Sequence, residues 1–256
     1  MAETVVITRP YRQAIEFAAR LEEAGHTAVV FPLLDIAPLT DTTQIRETLQ
    51  RLTEFSLVAF VSPNAIDATF AHVEHWPPEV PLAVMGEGSR QALARHGVTP
   101  DRYSITSPND RRRTDSETLL LALDIERLRA SKVLILRGES GRELLADALR
   151  AVGAKVEQVA AYRRSAVALT AARSIELANL LDSANSWVIT SSEALKFLIQ
   201  DVEKVDPNHG VAKIQQKKIY VPHPRILDLA QSLGFREICL TDAGDDGLFS
   251  TLQFAA

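Results

Sequence analysis

The sequence has little of several things that commonly reveal a protein's compartment. It contains one cysteine among 256 residues, Cys239, which excludes an intramolecular disulfide. Because this cysteine lies in the apolar run EICLTD, we expect a buried strand residue and not a nucleophile. No apolar run is long enough to span a membrane. The first residues, MAETVVITRP, have no basic stretch followed by an apolar one, so we expect no secretory signal and a cytoplasmic location.

Patterns for nucleotides, metals and nucleic acids are also missing or incomplete. No GxxxxGK[ST] phosphate loop occurs, and the glycine pattern starting at Gly86 has Gln91 where a dinucleotide fingerprint has its third glycine. His72 and His75 have helical spacing but no cysteine or carboxylate partner set, so we expect surface residues and no metal site. The net charge of −5 argues against a nucleic-acid partner, although a recessed site could still bind a small anion.

The sequence does contain an internal duplication. Residues 4–39 run parallel to residues 132–167 at an offset of 128, each with an apolar strand, a helical stretch and a long extended run. Arg9 corresponds to Arg137 in this superposition. The match continues between SLVAFVSPNAIDATF and NSWVITSSEALKFLI, where an apolar strand passes directly into a helix. The chain is therefore predicted to contain two related halves.

In both halves, strands rich in Val, Ile and Leu alternate with amphipathic helical stretches. This alternation is typical of βαβ units, so we expect an α/β fold with two similar Rossmann-like or flavodoxin-like domains, each built on a parallel sheet. The candidate strands are 4–9, 56–61, 81–85, 102–106, 132–137, 187–190, 218–222 and 237–241, with long extended runs near 27–39 and 155–166.

The two extended runs decide the predicted domain layout. Each is longer than a usual strand of about 5–6 residues, so we expect each to finish one sheet and then cross to the other domain. The first domain would then be discontinuous, with residues 1–36 and 166–256, and the second would be an insertion of residues 37–165. A contiguous split near residue 128 is the alternative layout. In either case we expect any chemistry in the cleft between the two halves.

Polar residues occur where predicted strands end and helices begin, which is where parallel sheets bind ligands. Ser62 can cap one such helix, and Thr190 and Ser191 occupy the equivalent place in the other half. Gly86 and Ser89 follow a further strand. Helix capping explains any one of these serines. Their recurrence at matching positions favours two walls of one cleft that binds a ligand with several carboxylates.

Two other features could contact a ligand. Tyr162 lies in the crossing segment QVAAYRRS, where it is predicted to face the junction between domains, either as a packing aromatic or as a functional group. Arginines at 111–113 are expected in an exposed loop before a helix capped near Asp115 or Ser116, with ligand contact as the alternative.

Several stretches taken together resemble the uroporphyrinogen-III synthase family: TRPYRQA, VSPNAI, MGEGSRQAL, TDSETLL, LILRGESGRELLADALRAVGAKV, VAAYRRS and ITSSEALKFL. The resemblance covers nearly the whole chain and rests on the order and spacing of these stretches, above all on RGESGRELL and the tyrosine that follows it. It implies a cofactor-free lyase that closes the linear tetrapyrrole hydroxymethylbilane into a ring, inverts the fourth pyrrole and releases water. It also implies a discontinuous two-domain fold joined by two strands.

The same resemblance implies roles for individual residues. Tyr162 matches the family's tyrosine at the cleft, for which we expect a hydrogen bond to the departing hydroxyl and assistance as a weak acid. The polar positions that contact the substrate's side chains in the family are matched by Ser62, Ser89, Thr190 and Ser191. Gly86 is expected to lie at the substrate with these residues.

The arginines leave alternatives open. Arg9 and Arg137, at equivalent strand ends, are expected either to bind substrate carboxylates or to pair with acidic neighbours. The segment VPHPRIL departs from the family, which often has a Gly-containing turn with Thr or Ser there. Arg225 is expected to supply a carboxylate contact in this segment, while the role of His223 is left open.

Two rival functions belong to other classes. A hinged two-domain module that binds a small polycarboxylate anion without catalysis would not need Tyr162. A nucleotide-dependent transferase would need the complete phosphate loop that the sequence lacks. We expect a monomer, and direct transfer of substrate through a transient contact with the preceding enzyme of the pathway is left open.

Overall fold

The computed structural model describes residues 4–108 and 115–254. The strands are β1 (Thr4–Ile7), β2 (Thr27–Val30), β3 (Leu34–Ala37), β4 (Leu57–Phe60), β5 (Leu82–Val84), β6 (Ile105–Thr106), β7 (Lys132–Gly138), β8 (Lys155–Ala166), β9 (Ser186–Val188), β10 (Lys218–Val221) and β11 (Glu237–Leu240). The arginines at 111–113 lie outside the described residues.

The helices are α1 (Tyr11–Glu23), α2 (Thr43–Leu49), α3 (Pro63–Phe70), α4 (Glu87–Arg95), α5 (Ser116–Ala122), α6 (Leu144–Ala151), α7 (Ala171–Asp182), α8 (Ser192–Val205), α9 (Gly210–Ile214), α10 (Pro224–Ser232) and α11 (Gly244–Phe254). Short 3₁₀ turns lie at Leu52–Glu54 and Ile125–Leu128. By internal contacts the chain divides into two compact units: unit 1 is Met1–Asp35 with Ser165–Ala256, and unit 2 is Ile36–Arg164.

The sheet of unit 1 has the strand order β11-β10-β9-β1-β2, and its neighbouring strands are parallel. Counted along this unit alone, the order is 5-4-3-1-2, which is the doubly wound order of flavodoxin-like folds. Val6 packs into the core on one face of the sheet, while Val5 and Ile7 pack into the core on the other. Both faces are therefore covered, as the parallel sheet requires.

The sheet of unit 2 has the strand order β3-β8-β7-β4-β5-β6, with parallel pairing from β8 through to β6. In this sheet β7, β8 and β4 occupy the places that β1, β2 and β9 occupy in unit 1. Val58 and Phe60 face one core cluster, and Leu57 and Ala59 face the other. The predicted α/β class with parallel sheets is confirmed, and the repeated strand order is the structural form of the sequence duplication.

A glycine follows the corresponding helices α1 and α6 in the two units. Gly25 and Gly153 follow these helices with φ of 88° and 91°, a left-handed conformation that glycine adopts without a steric penalty. Each glycine turns the chain from the helix into the next parallel strand. The two residues are 128 positions apart, as the offset of the duplication requires.

Two extended segments carry the chain from one unit to the other. β3 contains the boundary after Asp35, β8 contains the boundary after Arg164, and the two strands are neighbours in one sheet. The predicted extended run at 27–39 is wrong in detail, because it is interrupted between β2 and β3. There Phe31 and Leu33 still donate backbone hydrogen bonds to the end of β1, whereas Pro32 between them has no N–H to donate.

Smaller predictions can be compared with the structure. Cys239 lies on the edge strand β11, as expected for a strand residue, but it is half-buried because it has a neighbouring strand on one side only. The predicted surface position of the histidines holds for His75, whose side chain is 89% exposed, while His72 is half-buried. Asp115 caps α5, with a reciprocal hydrogen bond to Thr118.

Over 4–108 and 115–254, no helix has both the length and the apolar character that a membrane crossing needs. Within the same ranges, no three His, Cys, Asp or Glu side chains are grouped so that they could hold a metal ion.

Candidate active site

In open α/β sheets, ligands bind outside the carboxyl ends of the strands, at the point where the strand order reverses. This point lies between β4 and β7 in unit 2 and between β1 and β9 in unit 1. Ser62 follows β4 and Glu139 follows β7, while Arg9 and Thr190 follow the corresponding strands of unit 1. Of the predicted polar residues, Ser62, Arg9 and Thr190 are therefore found at the reversal point of a sheet.

In unit 2 the structure brings two predicted residues into direct contact. The hydroxyl of Tyr162 lies 3.1 Å from Oγ of Ser62, and either group can be the donor. Ser62 is also the N-cap of α3, since its Oγ accepts a hydrogen bond of 3.1 Å from the N–H of Ala65. The Tyr162 side chain is 4% exposed and lies in the core. The phenol is therefore fixed by packing around its ring and by a serine that the helix itself holds.

Arg137, at the end of β7, is 8% exposed and already has partners. Its Nη1 donates to Oε1 of Glu143 at 2.5 Å and also to Oε1 of Gln158. Gln158 in turn donates from Nε2 to the other oxygen of Glu143, at 2.5 Å. These bonds from Gln158 and Arg137 hold the pKa of Glu143 below its usual value. Of the two alternatives left open by the sequence, the structure contains the pairing with an acidic neighbour.

The loop between β7 and α6 is tied at further points. Arg164 donates from Nη2 to the carbonyl oxygen of Ser140 at 2.8 Å. Arg142 pairs with Glu117 of α5, with a distance of 3.1 Å between Nη1 and Oε2. This pair lowers the pKa of Glu117 and raises that of Arg142, because the hydrogen bond between them favours both charged forms. The loop is thus held beside the carboxyl end of β7.

The two predicted residues that follow β5 differ in exposure. Gly86 is the N-cap of α4, and its carbonyl oxygen accepts hydrogen bonds from the backbone N–H groups of Ser89 and Arg90 at 3.1 and 3.0 Å. Gly86 is half-buried, whereas Ser89 is 3% exposed. In this conformation Ser89 is therefore less accessible to a substrate than Gly86 is.

In unit 1, Arg9 is the counterpart of Arg137 but is bonded differently. Its Nη2 lies 2.6 Å from Oδ1 of Asp245, at the start of α11. Its guanidinium carbon lies 5.5 Å from the centre of the Phe17 ring. The Nε and Nη1 atoms are buried and have no hydrogen-bond partner in the part of the chain that the structure describes. Two donor nitrogens of Arg9 are therefore without a partner among the described residues, whereas Nη1 of Arg137 donates to two acceptors.

Ser191 in unit 1 takes the place that Ser62 takes in unit 2. It is the N-cap of α8, and its Oγ accepts from the N–H groups of Glu193 and Ala194 at 3.2 and 3.4 Å. Thr190, immediately before it, is half-buried. The cap fixes the N-terminus of a 14-residue helix at the reversal point of the sheet.

In the segment VPHPRIL, the structure shows the role of His223 that the sequence left open. His223 is the N-cap of α10: its Nδ1 accepts a hydrogen bond of 3.0 Å from the N–H of Arg225, and Pro224 occupies the first turn. An accepting Nδ1 places the proton of the neutral ring on Nε2. Arg225 thus contributes its backbone N–H to the cap, while its side chain is exposed.

Four residues that contact the predicted ones were not found by sequence reasoning: Glu143, Gln158, Asp245 and Gly138. Glu143 and Gly138 lie in the stretch RGESGRELL, and Gln158 begins the crossing segment QVAAYRRS, but none of the three was singled out within its stretch. Asp245 is more than 230 positions from its partner Arg9, so nothing local in the sequence signals the pair.

These features define a class of protein: a duplicated α/β fold in which each unit presents hydroxyls, an arginine and helix N-termini at the carboxyl end of a parallel sheet. Such groups suit anionic ligands, because N–H groups and guanidinium groups donate hydrogen bonds to carboxylates.

Comparison with known proteins identifies the family to which this chain belongs. The sequence model of the family described as uroporphyrinogen-III synthase HemD matches residues 15–249. The uroporphyrinogen-III synthase of Salmonella typhimurium is 30% identical, over 98% of this chain and all of that protein, and the one from Escherichia coli is 29% identical over the same shares. The chain belongs to the uroporphyrinogen-III synthase family, which makes it an enzyme of tetrapyrrole biosynthesis.

Solved structures support the fold. A mutant uroporphyrinogen III synthase from the extremely thermophilic bacterium Thermus thermophilus superposes with a TM-score of 0.62 at 16% identity, over 99% of this chain and 97% of that one. The uroporphyrinogen-III synthetase of Helicobacter pylori gives a TM-score of 0.60 at 14% identity, over the whole of both chains. At these identities the likeness establishes the fold alone.

Proposed function

We propose that this chain converts hydroxymethylbilane into uroporphyrinogen III without a cofactor, by closing the ring, inverting ring D and releasing water. The observation that supports this proposal most directly is the Tyr162 hydroxyl held 3.1 Å from Ser62 at the reversal point of the unit 2 sheet. A phenol fixed there can donate a hydrogen bond to the hydroxyl that leaves the substrate.

The proposed reaction begins with breakage of the bond between carbon and the terminal hydroxyl. The hydroxyl takes a proton, with Tyr162 as hydrogen-bond donor, and leaves as water. The remaining cation is stabilised by resonance with its pyrrole ring. The substituted carbon of the last ring attacks it first to form a spiro intermediate, which breaks and closes again in the inverted orientation. The last pyrrole carbon releases one proton as it regains aromaticity, so substrate gives product plus one water.

In this scheme the enzyme contributes mainly position. The pyrrole is itself the nucleophile, so little acid–base chemistry is needed beyond departure of the hydroxyl. Holding reacting groups in a productive arrangement can lower a barrier by about 7–11 kcal/mol. We propose that Ser62 serves this purpose for the catalytic group, because its own position is fixed by the Ala65 N–H and it fixes the phenol in turn.

We propose that substrate carboxylates bind at the strand ends of both units. In unit 1, Arg9 supports this with two buried N–H donors that have no partner among the described residues, and Thr190 and Ser191 lie at the N-terminus of α8. In unit 2 the proposed contacts are Gly86 and Ser89. A carboxylate at Arg137 would have to compete with Glu143, and one at Arg225 would meet an exposed guanidinium.

We also propose that the two units act as the domains predicted from the sequence, residues 1–36 with 166–256 and residues 37–165. The cleft between the halves, the cytoplasmic location and the monomeric state remain predictions. The alternative function, a module that binds a polycarboxylate anion without catalysis, is disfavoured by the contact between Tyr162 and Ser62, since simple binding does not require a fixed phenol.

The experiment that tests the proposal is a coupled assay. Hydroxymethylbilane is generated in place, the protein is added without cofactor or metal, and the oxidised products are separated into type I and type III uroporphyrin. Spontaneous closure gives type I and serves as the control. We expect predominantly type III product. Unchanged type I product from a folded sample would contradict the proposal and leave the binding module.

A further inference from the structure

Gly138 is the last residue of β7 and lies opposite Tyr162 of β8, where the pairing of the two strands is irregular. From Lys132↔Lys155 to Arg137↔Ala160 the register is continuous, but the next pair is Gly138↔Tyr162. Ala161 is therefore an extra residue in β8, which makes this point a β-bulge. A bulge changes the direction in which the following side chain points.

The effect of the bulge is visible in the core. Successive side chains of a regular strand point to opposite faces, so Ala161 and Tyr162 would be on different sides of the sheet. Instead Val159, Ala161 and Tyr162 all belong to the same core cluster. The bulge has brought the Tyr162 ring onto the face that Val159 and Ala161 already occupy.

Gly138 belongs to that same face. Leu134 and Leu136 of β7 lie in the cluster with Tyr162, so alternation along the strand directs position 138 to the same side. On β4, Val58 and Phe60 also lie in this cluster, and alternation continues to Ser62. The order β8-β7-β4 puts position 138 between the tyrosine and the serine. Strands two apart are separated by about 10 Å, so the phenol must cross β7 to reach Ser62.

The contact distances agree with this crossing. A Cβ at position 138 would lie 3.1 Å from Cζ of Tyr162, 3.3 Å from Cε2 and 3.3 Å from the hydroxyl oxygen. These distances are shorter than ordinary van der Waals contacts. The backbone of Gly138 is not in the left-handed region, so a side chain at this position would be opposed by the Tyr162 ring and not by the backbone angle, and the ring would have to shift by a few tenths of an ångström.

Unit 1 provides an internal comparison. At the offset of 128, Tyr162 corresponds to Leu34 and Gly138 to Pro10. Where there is no phenol to accommodate, the glycine is absent as well.

We infer that Gly138 is a positioning residue for the reaction: together with the bulge at Ala161, it leaves the space through which Tyr162 reaches Ser62. This inference rests on the proposed function of Tyr162. Any side chain at 138 displaces the hydroxyl from Ser62 and from the leaving group, while the groups that bind carboxylates keep their places.

Gly138→Ala tests the inference in the coupled isomer assay, with wild type measured alongside. We expect kcat to fall about tenfold, because small misplacements of a reacting group are costly, and KM to change less than about twofold. The type III fraction should fall as spontaneous closure competes. In a Tyr162→Phe background, whose ring lacks the hydroxyl, the same substitution should lower kcat by no more than about twofold.

The outcomes separate the inference from the proposed function. No type III product from wild type would overturn the function. With an active wild type, an unchanged Gly138→Ala rate, or an equal loss in both backgrounds, would overturn the inference, because an effect on folding does not depend on the hydroxyl. If Gly138→Ala does not fold, Gly138→Ala with Tyr162→Ala should fold, since the ring that clashes is gone. Failure of that double variant to fold would also overturn the inference.

Discussion

The two units have the same strand order, yet the carboxyl ends of their sheets differ. Both have an arginine at the end of one strand of the reversal point and a serine that caps the helix after the neighbouring strand. In unit 2 the serine is bonded to Tyr162 and the arginine to Glu143, whereas at the offset of 128 the first half of the sequence has Leu34 in place of the tyrosine. The duplicated scaffold thus supplies an arginine and a capping serine twice and the phenol once. The predictions below test this division.

The largest effect is expected from Tyr162→Phe. If the phenol assists hydroxyl loss, kcat should fall about 10²-fold, at the low end for general acid catalysis, while KM changes little. Tyr220→Phe is the matched control, since Tyr220 is a fully buried tyrosine in the core of unit 1. Steady-state kinetics with isomer analysis measures both. An unchanged rate for Tyr162→Phe would remove its catalytic role.

Substitution of Arg9 should change substrate binding, whereas substitution of Arg137 should change mainly stability. Arg9→Met is expected to raise KM by about 10- to 100-fold, since hydrogen bonds to charged groups contribute about 1.5–3 kcal/mol and two donor nitrogens of Arg9 have no partner among the described residues. Arg137→Met should mainly lower the melting temperature, because Arg137 is engaged by Glu143 and Gln158. A larger KM increase for Arg137→Met than for Arg9→Met would contradict this comparison.

Ser62→Ala should affect both kinetic constants. Loss of the 3.1 Å contact to Tyr162 leaves the phenol less well held, so we expect kcat to fall about tenfold by the cost of a lost hydrogen bond. Loss of a proposed substrate contact should raise KM as well. A change in KM alone would show that Ser62 does not act through the tyrosine.

Ser191→Ala should affect KM alone, by about two- to tenfold, because one neutral hydrogen bond contributes about 0.5–1.5 kcal/mol. It should also lower stability by about 1 kcal/mol through the lost helix cap. Thr170→Ala is the control: Thr170 caps α7 through the N–H of Arg173, so it should lose stability without a change in KM. Equal KM effects in the two variants would indicate that capping explains the result.

The smallest effect concerns pH. The pKa of Glu143 is lowered from 4.5, so its carboxylate stabilises the folded state above that pH, and the contribution is lost as pH falls through the lowered pKa. Glu143→Gln should therefore lower the melting temperature at neutral pH and approach wild type in acid. Glu16→Gln, on an exposed face of α1, is the control. A difference from wild type that is independent of pH would exclude this carboxylate as its source.

Much of the fold could be predicted because parallel strands covered on both faces appear as apolar runs, and the duplication repeats them. The interruption of the first extended run could not be predicted. Phe31 and Leu33 still donate hydrogen bonds to Ile7 and Thr8, and their sequence is typical of a strand, but Pro32 between them has no N–H and Leu33 lies in a bend. The half-buried state of Cys239 likewise depends on β11 being an edge strand, which the sequence does not reveal.

Individual residues of the candidate site could be predicted from the sequence, but the contacts between them could not. Ser62 and Tyr162 were each singled out, yet their contact depends on one extra residue in the register between β7 and β8. The cluster of Arg137, Glu143 and Gln158 depends on the regular part of the same pairing, in which Arg137 lies opposite Ala160 and Gln158 opposite Ile135. The role of His223 was left open because a helix N-cap is usually Ser, Thr, Asp or Asn. An imidazole accepts the capping hydrogen bond less often.

The insertion of unit 2 has a consequence for biosynthesis. β1 and β2 of unit 1 are complete at Val30, but the neighbour of β1 on its other side, β9, begins only at Ser186. That interval corresponds to on the order of ten seconds of translation, during which the whole of unit 2 is synthesised. We expect unit 2 to resist protease in ribosome-bound chains from which unit 2 has left the ribosome and β9 has not, and an unprotected unit 2 would refute this. Strands β1 and β2 are therefore synthesised first but are among the last to pack into a complete sheet.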